Sequence, residues 1–138
     1  MIVVDSNVLS ELMRPEPSPA VEAWALAQRP ELMFTTAITV AEVMYGIARL
    51  PEGRRKQQLH GVATEIFMAF SDRVLSFDES AAQRYAVLVA EREAAGTPGS
   101  AFDAQIAAIC LDHVAPLATH NVKDFEGCGL TLIDPWER

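Results

Sequence analysis

Four acids and one amide stand where apolar runs give way to polar residues. Asp5 ends the run Met1–Val4, and Asn121 and Asp124 follow the run Pro116–Thr119. Glu42 and Asp103 each come three residues after a hydroxyl residue, Thr39 and Ser100. Side chains of this kind do two sorts of work. In the pattern [ST]-x-x-[DE], Glu42 and Asp103 would act as helix caps, each favouring a helix N-terminus by about 0.3–1 kcal/mol. Gathered in one place, carboxylates repel one another, and their pKa values rise unless a cation neutralises them. Oxygen ligands with retained waters suit Mg2+ or Mn2+. Such an ion activates water and clamps the oxygens of a phosphodiester during in-line displacement. Asp5 fits the bland reading least well, because it follows a strand expected to be central, and a buried carboxylate is costly unless paired.

The elements that would position these groups can be read from apolar spacing. Met1–Val4, Leu32–Thr35, Val74–Phe77, Pro116–Thr119 and Thr131–Ile133 are short runs with strand character. Between them lie helical stripes. A short helix is expected over Val8–Met13, stopped by Arg14-Pro15. Another begins at Ser18 as N-cap with Pro19 in the first position and runs to about Arg29. Val40, Val43, Met44, Ile47 and Leu50 mark a helix opened at Thr39, and Leu59 to Phe70 mark a long one. Asp78 and Ser100 are expected caps of two further helices, and His120–Phe125 is expected to be a polar turn. Trp24, Phe67, Phe70 and Tyr85 fall on apolar stripes and are read as core or dimer surface. Short strands alternating with helices predict an α/β fold: one domain over 1–138, with a mostly parallel sheet of four to five strands flanked by helices. In such sheets ligands gather beyond the carboxyl ends of the strands, at the switch in strand order. Asp5, Asn121 and Asp124 follow strands directly.

Composition narrows the partners. Half of the 138 residues are apolar and 22% are charged, the balance of a folded chain. Nineteen acids against 11 bases give a net charge of −8. That disfavours nucleic-acid binding through a broad basic face, but not an enzyme whose acids are neutralised by metal. Cys110 and Cys128 form no closely spaced pair, so neither a disulfide framework nor a four-cysteine zinc site is expected. Cys110 lies on an apolar stripe and reads as core. No apolar run approaches the ~18 residues of a spanning helix, and no basic segment precedes Met1–Val4, so a cytoplasmic location without membrane attachment is expected.

Four segments, in order, carry a family resemblance: Ile2-Val3-Val4-Asp5-Ser6-Asn7-Val8-Leu9-Ser10-Glu11, Thr39-Val40-Ala41-Glu42-Val43-Met44-Tyr45-Gly46-Ile47, Phe102-Asp103-Ala104-Gln105-Ile106-Ala107 and Ala118-Thr119-His120-Asn121-Val122-Lys123-Asp124-Phe125. With the closing Ile133-Asp134-Pro135-Trp136, the chain resembles PIN domains of the VapC toxin type, FitB-like group. That resemblance implies an Mg2+-dependent endoribonuclease, with Mn2+ as a substitute, serving as the toxin of a type II toxin–antitoxin pair. It implies that Asp5, Glu42 and Asp103 form the catalytic, metal-holding triad, supported by Ser6, Asn7 and Thr119. Two positions depart from the family. Asn121 stands where a fourth acid is common, so the fourth group is either the Asn121 carbonyl or Asp124, the latter secondary because it lies three residues further from the strand. His120 stands where an arginine is frequent.

Arg14, Arg49 and Lys123 flank the expected acidic pocket and are the candidates for RNA contact. Arg54-Arg55-Lys56 is either a solvated turn or a contact to RNA phosphate or to an antitoxin acid. An anionic pocket calls for a basic inhibitor. The expected antitoxin, VapB-like, presents an Arg or Lys to Asp5, Glu42 and Asp103 and competes with the metal. The apolar helices between Trp24 and Phe70 are expected to serve both antitoxin binding and a homodimer. Charge repulsion further predicts that neutralising Asp5 or Asp103 leaves the melting temperature unchanged or raised. The competing expectation is an Mg2+-binding phosphotransfer domain of receiver or phosphatase type. It is disfavoured because Asn7 stands where such a phosphatase has its second acid, and because no acid pair accompanies Lys123 as a receiver requires.

Overall fold

The β-branched residues that open the chain form β1 (Ile2–Val4), and it lies at the centre of a five-stranded sheet. The computed structural model describes residues 1–137. After β1 come α1 (Ser6–Leu12), α2 (Pro19–Ala27), a 3-10 turn (Pro30–Leu32), β2 (Met33–Thr36), α3 (Ala37–Ala48) and α4 (Arg54–Phe70). Then follow β3 (Val74–Leu75), α5 (Glu79–Ala94), α6 (Ala101–Asp112), β4 (Leu117–Ala118), α7 (Val122–Phe125) and β5 (Leu132–Ile133). The strand order is β3-β2-β1-β4-β5, and every pairing is parallel. The chain builds outward from β1 to β3 and then crosses to β4 on the other side. The switch point therefore lies between β1 and β4.

Successive strand residues point to opposite faces, and β1 uses this to anchor two cores at once. Val3 packs with Leu88, Ile106, Ala107, Cys110, Leu117 and Phe125 on the face covered by α5, α6 and α7. Val4 packs with Val8, Leu9, Val21 and Phe70 on the face covered by α1, α2 and α4, with Trp24, Phe67 and Trp136 at its margin. A third cluster, Val43, Ile47 and Ala63, joins α3 to α4. The aromatic residues of the expected stripes are thus core, and Tyr85 stacks edge-on against Phe77. They leave Leu26, Tyr45, Val62 and Met68 as the large apolar side chains exposed on the helices between Trp24 and Phe70.

Several boundaries differ from the sequence expectation, each for a local reason. The first helix begins at Ser6, not Val8, because Asp5 is its N-cap and accepts the Ser6 N–H. Ser18 caps α2 by position only: its hydroxyl makes no capping bond, and its N–H donates to Glu11 Oε2 at 2.8 Å. That helix ends at Ala27, short of Arg29, since Gln28 is extended. The helix expected to open at Thr39 opens at Ala37, because Thr36 is the cap and its hydroxyl oxygen accepts the Thr39 N–H at 3.0 Å. Thr39 and Glu42 therefore form no capping box; Glu42 lies in the second turn with its carboxylate released from that duty. The strand expected over Val74–Phe77 shrinks to two residues, and the polar turn after β4 contains the single helical turn α7. Asp78 and Ser100 cap α5 and α6 as expected, through Ala81 N–H and Asp103 N–H.

Thr36 is fully buried, and its cap sets where α3 starts and so how far Glu42 stands from the sheet. Thr36→Ala is expected to cost about 1 kcal/mol in urea unfolding, and Thr36→Ser to recover most of it because the hydroxyl returns. Equal losses in the two variants would mean that packing of the methyl group, not capping, is what Thr36 supplies.

Candidate functional site

The carboxyl ends of β1 and β4 meet in a closed web of hydrogen bonds. Asp5 continues the ladder, its N–H donating to Ala118 O at 3.0 Å. Its side chain is only 3% exposed. Oδ1 accepts the Ser6 N–H at 2.8 Å, and Oδ2 accepts the Thr119 hydroxyl at 2.8 Å and Asn7 Nδ2 at 3.3 Å. Asn7 Nδ2 also donates to Thr119 Oγ1 at 3.1 Å, while Asn7 Oδ1 accepts the His120 N–H at 3.0 Å. Thr119 Oγ1 further accepts the Asn121 N–H at 3.1 Å. Asn7 and Thr119 thus tie the two strand ends together around one carboxylate. The web draws the aspartate pKa down, yet burial outweighs it and the Asp5 carboxyl lies above its ordinary value, with Asp103 pushing the same way.

Glu42 and Asp103 join Asp5 electrostatically. Glu42 is pushed up to about 7, first by burial, then by Asp5 and Asp103, with the Ser6 hydroxyl opposing. Glu42 Oε1 is buried and, among the described residues, is the one buried side-chain polar atom left without a hydrogen-bond partner. Asp103, in the first turn of α6, is raised by burial and by Asp124, and lowered by the Ser100 hydroxyl and the Arg92 guanidinium. The four acids thus form one coupled group, with Asp124 on α7 facing Asp103. Asn121 is the N-cap residue of α7, but its side chain makes no capping bond.

An orphaned carboxylate oxygen beside two other acids is a donor set that fits a hard divalent cation, which would satisfy the oxygen and relieve the repulsion together. Among the described residues no three His, Cys, Asp or Glu side chains close into a cage around one point. Cysteine takes no part: Cys110 is buried in the core and its thiol is pushed up to about 12, chiefly by burial.

The predicted basic residues are not all gathered here. Arg14 and Glu42 line one groove of about 1090 Å3 between α1, α3 and α4, together with Arg55, Val43, Ile47 and Leu59. Arg49 instead lies over the Tyr45 ring, 5.9 Å from its centroid, and Lys123 is exposed on α7. In the run Arg54–Lys56, Lys56 pairs with Glu52 at 2.5 Å, and Arg55 faces the groove.

Sequence reasoning missed Arg92. It donates to Thr97 O at 2.9 Å, Asp124 O at 3.2 Å and Cys128 Sγ at 2.8 Å, tying α5 to α7 beside Asp103. It lies 11 residues before Asp103 and outside every quoted motif, so only the packing of α5 on α6 reveals it.

Comparison with known proteins agrees with this geometry. The PIN domain family pattern matches residues 2–127. The chain is 42% identical over 141 residues to the VapC ribonuclease Y4jK of Sinorhizobium fredii, covering 99% of each. It is 36% identical over 137 residues to the toxin FitB of Neisseria gonorrhoeae, again covering 99% of each. The crystal structure of FitAcB from Neisseria gonorrhoeae superposes with a TM-score of 0.93 at 35% identity, covering 100% of both chains. The all-parallel sheet, the acids at its carboxyl edge and these likenesses agree: the chain belongs to the PIN domain family.

Proposed function

We propose that this chain is an Mg2+-dependent endoribonuclease, the toxin of a toxin–antitoxin pair, working in the cytoplasm as a single domain over 1–138. The observation that carries the reading is the unsatisfied Glu42 Oε1 within a coupled group of four acids at the β1/β4 switch point. The names of the relatives, ribonuclease and toxin, supply the reaction class. Membership of the PIN family removes the phosphotransfer alternative. Among the described residues no helix is long and apolar enough to cross a membrane.

In this reading Asp5, Glu42 and Asp103 hold Mg2+, with Mn2+ as a substitute. Asp124 is taken as the fourth group, since its charge helps to raise the Asp103 carboxyl. When bound, the ion supplies Lewis acidity toward the scissile phosphate and an activated water. The chain's own residues do the rest. Thr119, Asn7 and the Ser6 N–H hold the Asp5 carboxylate at one angle. Arg92 braces α7 beside Asp103. Arg14 and Arg55, on the groove that Glu42 borders, provide the nearest cations for RNA phosphates. Structural relatives of the chain are toxin–antitoxin assemblies. The apolar groove floor of Val43, Ile47 and Leu59 suits a helix of an antitoxin whose Arg or Lys reaches Glu42 at the groove's edge. The exposed Val87 and Phe102 offer a surface for a two-fold homodimer.

Purified protein should cleave RNA with Mg2+ or Mn2+ and stop with EDTA. Asp103→Asn and Glu42→Gln should each lower kcat/KM at least a hundredfold, with the melting temperature unchanged or raised as repulsion is relieved. Asp5→Asn should lose activity as severely but melt lower, which revises the charge-only expectation. Its amide nitrogen would face Asn7 Nδ2, donor against donor, and lose a charge-assisted bond worth about 1.5–3 kcal/mol. Full activity in any of the three variants would remove that residue from the catalytic set.

The pH dependence has a definite sign. All three carboxyls are raised in the fold, so the folded chain holds protons that the unfolded chain releases. Their contribution is whole below the ordinary carboxylate range, about pH 4, and is lost as pH climbs through each raised pKa, which for Glu42 is about 7. In EDTA, melting should therefore fall between pH 5 and pH 8 on the order of several degrees, and Glu42→Gln should flatten the slope. Mg2+ should raise melting at pH 8 far more than at pH 5, because the ion competes with protons. Calorimetry across this range checks both.

The fourth group is decided by metal titration. Asp124→Asn should weaken Mg2+ binding more than Asn121→Ala, and Asn121→Asp should strengthen it. A larger loss in Asn121→Ala would return the amide carbonyl to the site.

A further inference from the structure

Two aromatic rings stand at the rim of the acidic group and have no role in holding it. His120 directly follows Thr119, and its ring lies on Trp136 with centroids 4.2 Å apart and planes tilted by 35°. Asp134 fixes the pair from below. Its Oδ1 lies 3.3 Å from His120 Nδ1 and accepts the Trp136 N–H at 3.0 Å. Trp136 is seated in turn against the apolar cluster of Val4, Val8 and Leu9. The backbone of His120 is held by its N–H bond to Asn7 Oδ1, the same Asn7 that holds Asp5. Every support of the His120 ring is thus fixed, yet its side chain remains 53% exposed. Had the ring served only to seal the core, Trp136 would cover that function without it.

We infer that His120, backed by Trp136, is a stacking shelf for an unpaired RNA base next to the scissile phosphate. This rests on the ribonuclease reading, and it supplies what that reading lacks. A chain of net charge −8 gains little from long-range attraction of phosphates. An aromatic face attracts any base irrespective of charge, and single-stranded RNA is commonly held by bases splayed onto such faces. The shelf is one residue along the chain from Thr119, whose hydroxyl bonds Asp5, so a base resting on it places the adjoining phosphate beside the acids. His120 acts as a positioning residue through its ring face, not through its charge.

The test uses the full chain and single-stranded RNA. Steady-state cleavage with Mg2+ is measured for the natural chain, His120→Ala and His120→Phe. His120→Ala should raise KM about tenfold, with the loss falling on KM rather than kcat, and His120→Phe should restore KM to within about twofold. A second readout does not depend on cleavage: an RNA oligonucleotide carrying 2-aminopurine, with Ca2+ in place of Mg2+, should be quenched by the natural chain and by His120→Phe but not by His120→Ala. An unchanged KM in His120→Ala, or a His120→Phe variant as poor as His120→Ala, overturns the shelf while leaving the nuclease standing. Quenching without any RNA cleavage would keep the shelf and defeat the nuclease reading. Absence of both overturns the two together.

Discussion

A carboxylate held almost wholly out of water at the end of a central strand is the constraint around which this molecule is arranged. Asp5 cannot be left unpaired there, and the chain surrounds it with neutral donors instead of a cation. Ser6 N–H comes from the start of α1, the hydroxyl of Thr119 from the end of β4, and the amide of Asn7 from the first turn of α1. Parallel pairing of β1 with β4, in the register Val4 to Ala118, is what sets Thr119 level with Asp5. Neutral donors orient the charge without cancelling it. The group stays anionic toward the solvent side, and Glu42 and Asp103 arrive beside it with their own charges uncompensated. Arg92 opposes the charge of Asp103, braced by backbone oxygens and a thiol rather than committed to a carboxylate.

How much of this was legible before folding depends on the range of the interaction. Asp5 and Asp103 could be read because their signals are local: an acid ending an apolar run, and a serine three residues before an acid. Asp103 also kept the predicted cap, since Ser100 does accept its N–H. Glu42 was found for a partly mistaken reason. Thr35, Thr36 and Thr39 are all buried hydroxyl residues after a strand, and sequence alone offers no means to rank them as caps. Tertiary packing made the choice: the Thr35 hydroxyl donates to Val4 O across the sheet, leaving Thr36 to cap α3. The same choice freed Glu42 from the helix terminus. Ser6, Asn7 and Thr119 could be picked out only through family resemblance; the roles of Asn7 and Thr119 join positions more than a hundred residues apart. The His120–Trp136 pair and Arg92 were illegible, since each depends on a turn or a helix pairing that no periodicity encodes.

The all-parallel sheet follows from the lengths of its strands. With two to four residues each, no strand pairs stably without helices packed on both faces. Val3 and Val4 must each find a core, and they find separate ones. Such short strands also leave the carboxyl edge close to the core, so the site acids sit over apolar layers. Burial is accordingly the largest cause of the raised pKa at Asp5, Glu42 and Asp103 alike. The architecture that makes the small sheet stable is also what makes its acids costly.

That cost bears on how a toxin of this kind is restrained. The coupled acids lower the stability of the bare fold at neutral pH, and any cation bound among them recovers it. A metal ion and a basic side chain placed among these acids would draw on one reservoir of unfavourable charge, and the binding of either would diminish what the other gains. Competition between cofactor and inhibitor needs no conformational switch under this scheme, because both act at the same carboxylates. The inhibitor has one further advantage, in that the groove leading to Glu42 is largely apolar. A peptide can add burial along Val43, Ile47 and Leu59 to the neutralisation at its end, whereas an ion has neutralisation alone.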